Sequence, residues 1–222
     1  MGILEPCLYF LFESFALQYT SAAQASLIVA TLPLMVGILA HWTLKENLKL
    51  KVMIGFLFSL VGVGLLTSAS SKTEASPNPW LGNSLEFFAM VVAAGYTVLV
   101  KKLSISFHPL FLAFAQSLLG TIFFGLLSFF WLSDLSQVRF QLKPALAIFY
   151  LGLIVTFLAY SLYNYGLSKL EASKAAMFIN LIPVFAVILS WLILGEGLNH
   201  VQLLGCMLIG LGIIFSQKGE LG

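Results

Sequence analysis

The chain has 222 residues, of which 60% are hydrophobic and 9% charged, with mean hydropathy +1.00 and formal net charge +2. A soluble domain of this size carries about a quarter charged residues to wet its surface, so the composition excludes one and points to lipid as the solvent. The near-neutral balance gives no reason to expect a nucleic-acid or acidic partner.

In chain order, apolar runs are read at about 1–19, 22–43, 50–68, 80–100, 109–132, 145–167, 172–194 and 201–216. About 20 apolar residues cross roughly 30 Å of hydrocarbon as a helix. Lipid leaves no backbone partner outside a helix or closed barrel, and the runs lack the alternation of barrel strands. The expected fold is therefore all-α, an integral membrane protein with about eight transmembrane helices. The first run carries Glu5 and Glu13 and no basic leader, so it reads as a span rather than a signal peptide. Cys7 and Cys206, far apart in apolar runs, read as small core residues.

Cytoplasmic loops carry the excess of Lys and Arg. Alternate connections place Lys45, Lys49, Lys51, Lys101, Lys102, Lys169, Lys174 and Lys218 on one side, and Lys72, Arg139 and Lys143 on the other. The first side is thus expected to be cytoplasmic, with both termini inside a multi-pass protein of the cytoplasmic membrane.

A shift of 150 residues aligns 2–64 with 152–214 without a gap. Pro33 falls on Pro183, Glu46 on Glu196, and Gly2, Gly55 and Gly62 on Gly152, Gly205 and Gly212. Five spans separate equivalent points. Five is odd, so the copies enter the membrane from opposite sides. The connection Lys45–Lys51 holds three lysines and its copy, Gly195–Val201, holds none, as opposite faces require. Inverted repeats of this kind mark secondary transporters, whose halves rock about a site near the midplane.

Leu-Glu-Pro at 4–6, Tyr-Phe-Leu-Phe-Glu at 9–13, Ala-Leu-Gln-Tyr-Thr-Ser-Ala-Ala-Gln-Ala at 16–25, and leucine-rich helices ending in Lys-Glu or Gly-Glu resemble the EamA family of the drug/metabolite transporter superfamily. The resemblance implies a ten-helix exporter of two five-helix repeats with cytoplasmic termini. Here the first repeat shows three helices, so the chain is expected to be N-terminally shortened and to lack the first two. The implied organisation is an incomplete repeat over 1–68, an extracytoplasmic linker over 69–79, a full repeat over 80–216 and a cytoplasmic tail over 217–222.

Ionisable groups inside a span are costly and mark function by default. Glu5, opposite Val155 in the repeat, lies about 15 Å into its helix at 1.5 Å per residue, near mid-membrane. Glu13 lies toward the outer end, about 80° round the same helix. A carboxyl without a basic partner in low dielectric can bind and release a proton. Gln24, Tyr96, Gln116, Tyr160, Tyr163, Asn164 and Asn180 are the polar candidates for a transport pathway. Each serves equally as interhelical glue worth about 0.6 kcal/mol. Pro6, Pro33 and Pro183 are candidate helix breaks, since proline removes a backbone donor. Gly55, Gly62, Gly205 and Gly212 read as close packing, and Glu46 and Glu196 as structural helix ends.

No nucleophile–base set, phosphate loop or metal spacing appears, so neither enzyme chemistry nor a cofactor is expected. The leading reading is a secondary active exporter of small metabolites, amino acids or drugs working by alternating access. An importer or exchanger of the same superfamily and a non-transporting scaffold or receptor are the alternatives. Expected partners are the lipid bilayer, a small-molecule substrate and, in a homodimer, a second copy.

Overall fold

The structure is a computed structural model that describes residues 1–47, 50–68, 76–131, 141–180, 182, 189, 192–193, 195 and 199–220. Helix α1 runs from a short helical segment, Ile3–Leu8, kinked at Glu5, into α-helical Tyr9–Tyr19. Next come α2 (Ala22–Val29), α3 (Leu32–Leu44), α4 (Leu50–Ser68), α5 (Pro79–Leu103) and α6 (Pro109–Ser128). Helix α7 joins Leu142–Tyr150, a π-wound Leu151–Ala159 and Tyr160–Lys169. Then α8 (Ala172–Ala176) passes into a 3-10 turn at Met177–Asn180, and α9 covers His200–Glu220.

Four helical stretches among the described residues are long and apolar enough to cross a membrane: Gln24–Leu44, Pro79–Leu103, Pro109–Ser128 and Leu142–Lys169. They overlap four of the expected runs, three of them extending beyond the expected bounds by one to three residues. Helix also occupies the other runs wherever they are described. The chain is a multi-pass helical membrane protein.

Local chemistry sets the helix starts. Ser21 Oγ accepts from the Gln24 N–H at 3.3 Å, and Asn78 Oδ1 from the Leu81 N–H at 3.5 Å just before Pro79. Side-chain oxygens at this position satisfy N–H groups that have no partner inside the helix, and proline suits the first turn. Pro33 follows the same rule. A break is expected there, and the segment is interrupted at Ala30–Thr31, so that Pro33 stands in the first turn of α3. The interruption follows from the missing N–H, which leaves the Val29 carbonyl without its usual donor. Thr31 Oγ1 bonds the Ile28 carbonyl at 2.7 Å across the gap. Pro183 and Glu196 lie outside the described residues.

Helix α5 is the central element, packing on α1, α2, α3, α4, α7 and α8. Its Met90, Tyr96 and Val100 are buried with Ile28, Val36 and Leu167. Helices α1 and α5 run antiparallel. The Tyr19 carbonyl accepts from the Asn78 N–H at 3.2 Å, the rings of Phe12 and Phe88 lie 6.3 Å apart, and Leu4 packs beside Gly95. By contrast, α5 and the end of α7 run parallel, since Thr97 meets Tyr163 at 3.2 Å and Lys101 Nζ meets the Leu167 carbonyl at 3.0 Å.

Helices α4 and α9, counterparts under the 150-residue shift, pack against each other. A Cβ on Gly62 would stand 2.6 Å from the Gly205 carbonyl oxygen. Only glycine allows that approach. The close packing expected of these two glycines is present.

Candidate functional site

The site begins with a broken helix at the start of the chain. Glu5 is extended (φ −137°, ψ 124°) between helical neighbours and is followed by Pro6. A residue before proline is steered from the helical region because the ring crowds its amide and Cβ. The Gly2 carbonyl, which Pro6 cannot serve, is taken by the Cys7 N–H at 3.5 Å. It is thus weakly held rather than free. The Glu5 side chain is 4% exposed, and Tyr160 donates its hydroxyl to Glu5 Oε1.

Around this carboxyl lies a cavity of about 260 Å³. Tyr9, Tyr96, Thr97, Tyr160 and Tyr163 supply its polar atoms. The ring edge of Tyr160 meets Tyr96 at 6.1 Å and 82°. The Tyr96 hydroxyl lies 2.7 Å from Gln116 Oε1 and 2.9 Å from Asn164 Oδ1, both fully buried side chains. A phenol has a single proton to give. Among the described residues the two amide nitrogens have no partner, so turning one amide over would supply Tyr96 with a donor and pair that nitrogen. Gln116 and Asn164 therefore fix the Tyr96 wall from behind rather than lining the cavity.

The apolar lining carries the repeat. Glu5 and Val155, Tyr9 and Ala159, Val29 and Ile179, and Leu32 and Ile182 are pairs related by the 150-residue shift, and all eight line the cavity. The kinked segment Ile3–Leu8 and the π-wound Leu151–Ala159 overlap under the same shift. π turns inside helices are frequent at functional sites. Cavity and irregular backbone thus coincide at both related positions.

Not every candidate converges here. Glu13 accepts from the Tyr9 hydroxyl at 2.8 Å, one turn beyond the cavity. Gln24 sits at the far end of α2, where Thr20 Oγ1 lies 2.5 Å from Asn83 Oδ1 and Asn83 Nδ2 donates to Gln24 Oε1 at 3.3 Å. The Asn180 side chain lies outside the described residues.

Sequence reasoning passes over Tyr9, Thr97, Asn83 and Glu86. The rule that singles out Glu5 applies equally to Glu86, an acid inside the run 80–100. Tyr9 and Thr97 offer no such signal, since hydroxyls on apolar helices are common.

Similarity to known proteins follows the same outline. The EamA-like transporter family matches residues 1–68 and 80–217. "Uncharacterized transporter YetK" of Bacillus subtilis (strain 168) is 29% identical, the match covering 93% of this chain and 63% of that protein. "Uncharacterized transporter YyaM" of the same organism is 29% identical over 89% of this chain and 65% of its own length. An "Uncharacterized transporter" of Archaeoglobus fulgidus is 29% identical over 96% and 74%. The chain spans less than two thirds of the length of the first two relatives. One crystal structure shares the fold, with a TM-score of 0.61 at 18% identity over 96% of this chain and 73% of the other. With both matched segments together covering most of its length, the chain belongs to the EamA-like transporter family.

Proposed function

We propose that the protein is a secondary active transporter that exports small metabolites, amino acids or drugs across the cytoplasmic membrane by alternating access, with Glu5 as the coupling carboxyl. One observation carries the reading: a cavity lined by four pairs of repeat-equivalent positions and holding a single carboxyl. A site shared by both copies changes its exposure when one copy rocks against the other.

The chemistry of the wall suits that task. Among the described residues, no Asp, Glu, Lys or Arg other than Glu5 lines the cavity, so the state of one group sets its charge. An ionised Glu5 attracts a proton or a solute cation, and a protonated one releases the cation. The hydroxyl of Tyr160 steadies the carboxyl between these states. Both termini are read as cytoplasmic, and a homodimer is compatible with the reading.

The test is flux in proteoliposomes against a solute panel, comparing the wild type with Glu5→Gln. The substitution keeps shape and hydrogen bonding and removes titration. Loss of pH-gradient-driven flux at normal expression is expected. Undiminished pH-driven flux in Glu5→Gln overturns the coupling role, and no flux of any solute by folded wild type overturns the transporter reading.

A further inference from the structure

A second acidic site lies beyond the cavity. Glu86 on α5 is 1% exposed, and neither carboxyl oxygen has a hydrogen-bond partner among the described residues. A buried carboxyl left this way is expensive, because nothing replaces the water it has lost. The antiparallel register explains what it faces. Gly82 packs against the Tyr19–Thr20 backbone, where a Cβ would stand 2.7 Å from Thr20 N, and Phe12 meets Phe88. Between these two contacts the register brings Glu13 level with Glu86, and Glu86 lies within electrostatic reach of Glu13.

Among the described residues, nothing neutralises the pair. From α1, Glu13 and Tyr9 lie within electrostatic reach of Glu86, with Glu5 further along the same helix. Helices α2 and α3 carry no Asp, Glu, Lys or Arg over 22–44, and His41 stands at their far end. Lys51 of α4 and Lys174 of α8 lie at the end of the molecule where Glu46 meets Ser173, and Tyr160 and Tyr163 of α7 sit deeper, beside Tyr96 and Thr97. Two facing carboxyls in low dielectric cannot both ionise without a counter-charge. A shared proton removes that conflict.

We propose that Glu13 and Glu86 form a second proton-binding station, joined through Tyr9 to Glu5. Glu86 lies seven residues inside Pro79, about 10 Å from the helix end at 1.5 Å per residue. The pair therefore stands between the end read as extracytoplasmic and the cavity. Tyr9 already donates to Glu13 and lines the same cavity as Glu5. Once the Tyr9 hydroxyl turns toward Glu5, its oxygen accepts a proton leaving the pair while Tyr9 passes its own to Glu5. Tyr9 ends as a phenol donating to Glu13, as in the structure, and one proton has moved inward. The relay rests on Glu5 being the coupling group, but the shared proton does not.

The test needs no substrate. Infrared difference spectra of the protein in lipid nanodiscs are recorded across a pH titration for wild type, Glu86→Gln, Glu13→Gln and Glu5→Gln. Glu86→Gln should remove a titrating carboxyl band that Glu5→Gln retains, and Glu13→Gln should move the midpoint of the Glu86 band. In proteoliposomes, Glu86→Gln should lower pH-gradient-driven flux by about tenfold or more, the scale of a lost proton-transfer group, while solute counterflow without a gradient persists. A Glu86→Gln spectrum identical to wild type overturns the station. So does a set of carboxyl midpoints that Glu13→Gln leaves wholly unmoved, a reading that remains available if Glu86→Gln does not fold. A linked titration combined with unchanged pH-driven transport in Glu5→Gln keeps the shared-proton site and overturns only the relay and the Glu5 coupling.

Discussion

Glu5 and Tyr160 stand 155 positions apart, yet one hydrogen bond joins them inside the membrane-spanning bundle. Tyr160→Phe removes that donor and keeps the ring. Hydrogen bonds to charged groups are worth about 1.5–3 kcal/mol, so pH-driven flux should fall by about tenfold or more. Tyr163→Phe breaks a neutral contact with Thr97 at 3.2 Å and should cost less. Paired flux measurements decide it: equal losses would mean that Tyr160 does no more than pack. The sequence allows Glu5 to be singled out because an acid in a span is conspicuous whatever surrounds it. Its partner is not legible, since periodicity says which residues are apolar and not which helix lies opposite. Gln24 shows the same gap. It qualifies by the same polar criterion as Gln116, but packing takes it to the Thr20–Asn83 cluster instead.

At the scale of elements, Glu46 ends one helix and caps another. Its Oε1 accepts from the Ala172 N–H at 2.9 Å, and Oε2 accepts from the Ser173 N–H at 3.3 Å and from Ser173 Oγ at 2.6 Å. A carboxylate there satisfies two otherwise unpaired donors at the start of α8 and opposes the positive end of the peptide dipoles. Glu46→Ala should destabilise the fold by about 1–2 kcal/mol, read as a lower thermal midpoint in detergent, and Glu46→Gln should recover part of the loss. An unchanged midpoint in Glu46→Ala would make the cap energetically idle. Gly62→Val should also lower the midpoint, because its side chain meets the Gly205 carbonyl oxygen. The positions of the helices are largely legible in the sequence, as long apolar runs leave few alternatives. The winding within them is not. A segment apolar on every side gives no helical phase, so nothing in Leu151–Ala159 announces a π turn.

For the whole molecule, contacts fix which ends lie together. Glu46 and Ser173 meet at one end, where Lys101 also reaches the Leu167 carbonyl, and Tyr19 and Asn78 meet at the other. An alternating path through eight spans has this same pairing of ends. The cavity pairs carry the repeat further, since a shift read from prolines, glycines and glutamates recurs in which side chains line one space. Which end faces the cytoplasm is a matter of charge, and the lysine contrast between Lys45–Lys51 and Gly195–Val201 carries the expectation that the Lys45–Lys51 end does. Asn47 and Asn199 are both exposed and flank that contrast. With buried Cys7 and half-buried Cys206 replaced by Ala, single cysteines at 47 and 199 can be challenged in whole cells with a membrane-impermeant maleimide. Asn199→Cys should label from outside, whereas Asn47→Cys should label only once the membrane is opened. Labelling of both from one side would require an even number of crossings between them, and the inverted repeat, the shared cavity and the outward placement of Glu86 would fall together.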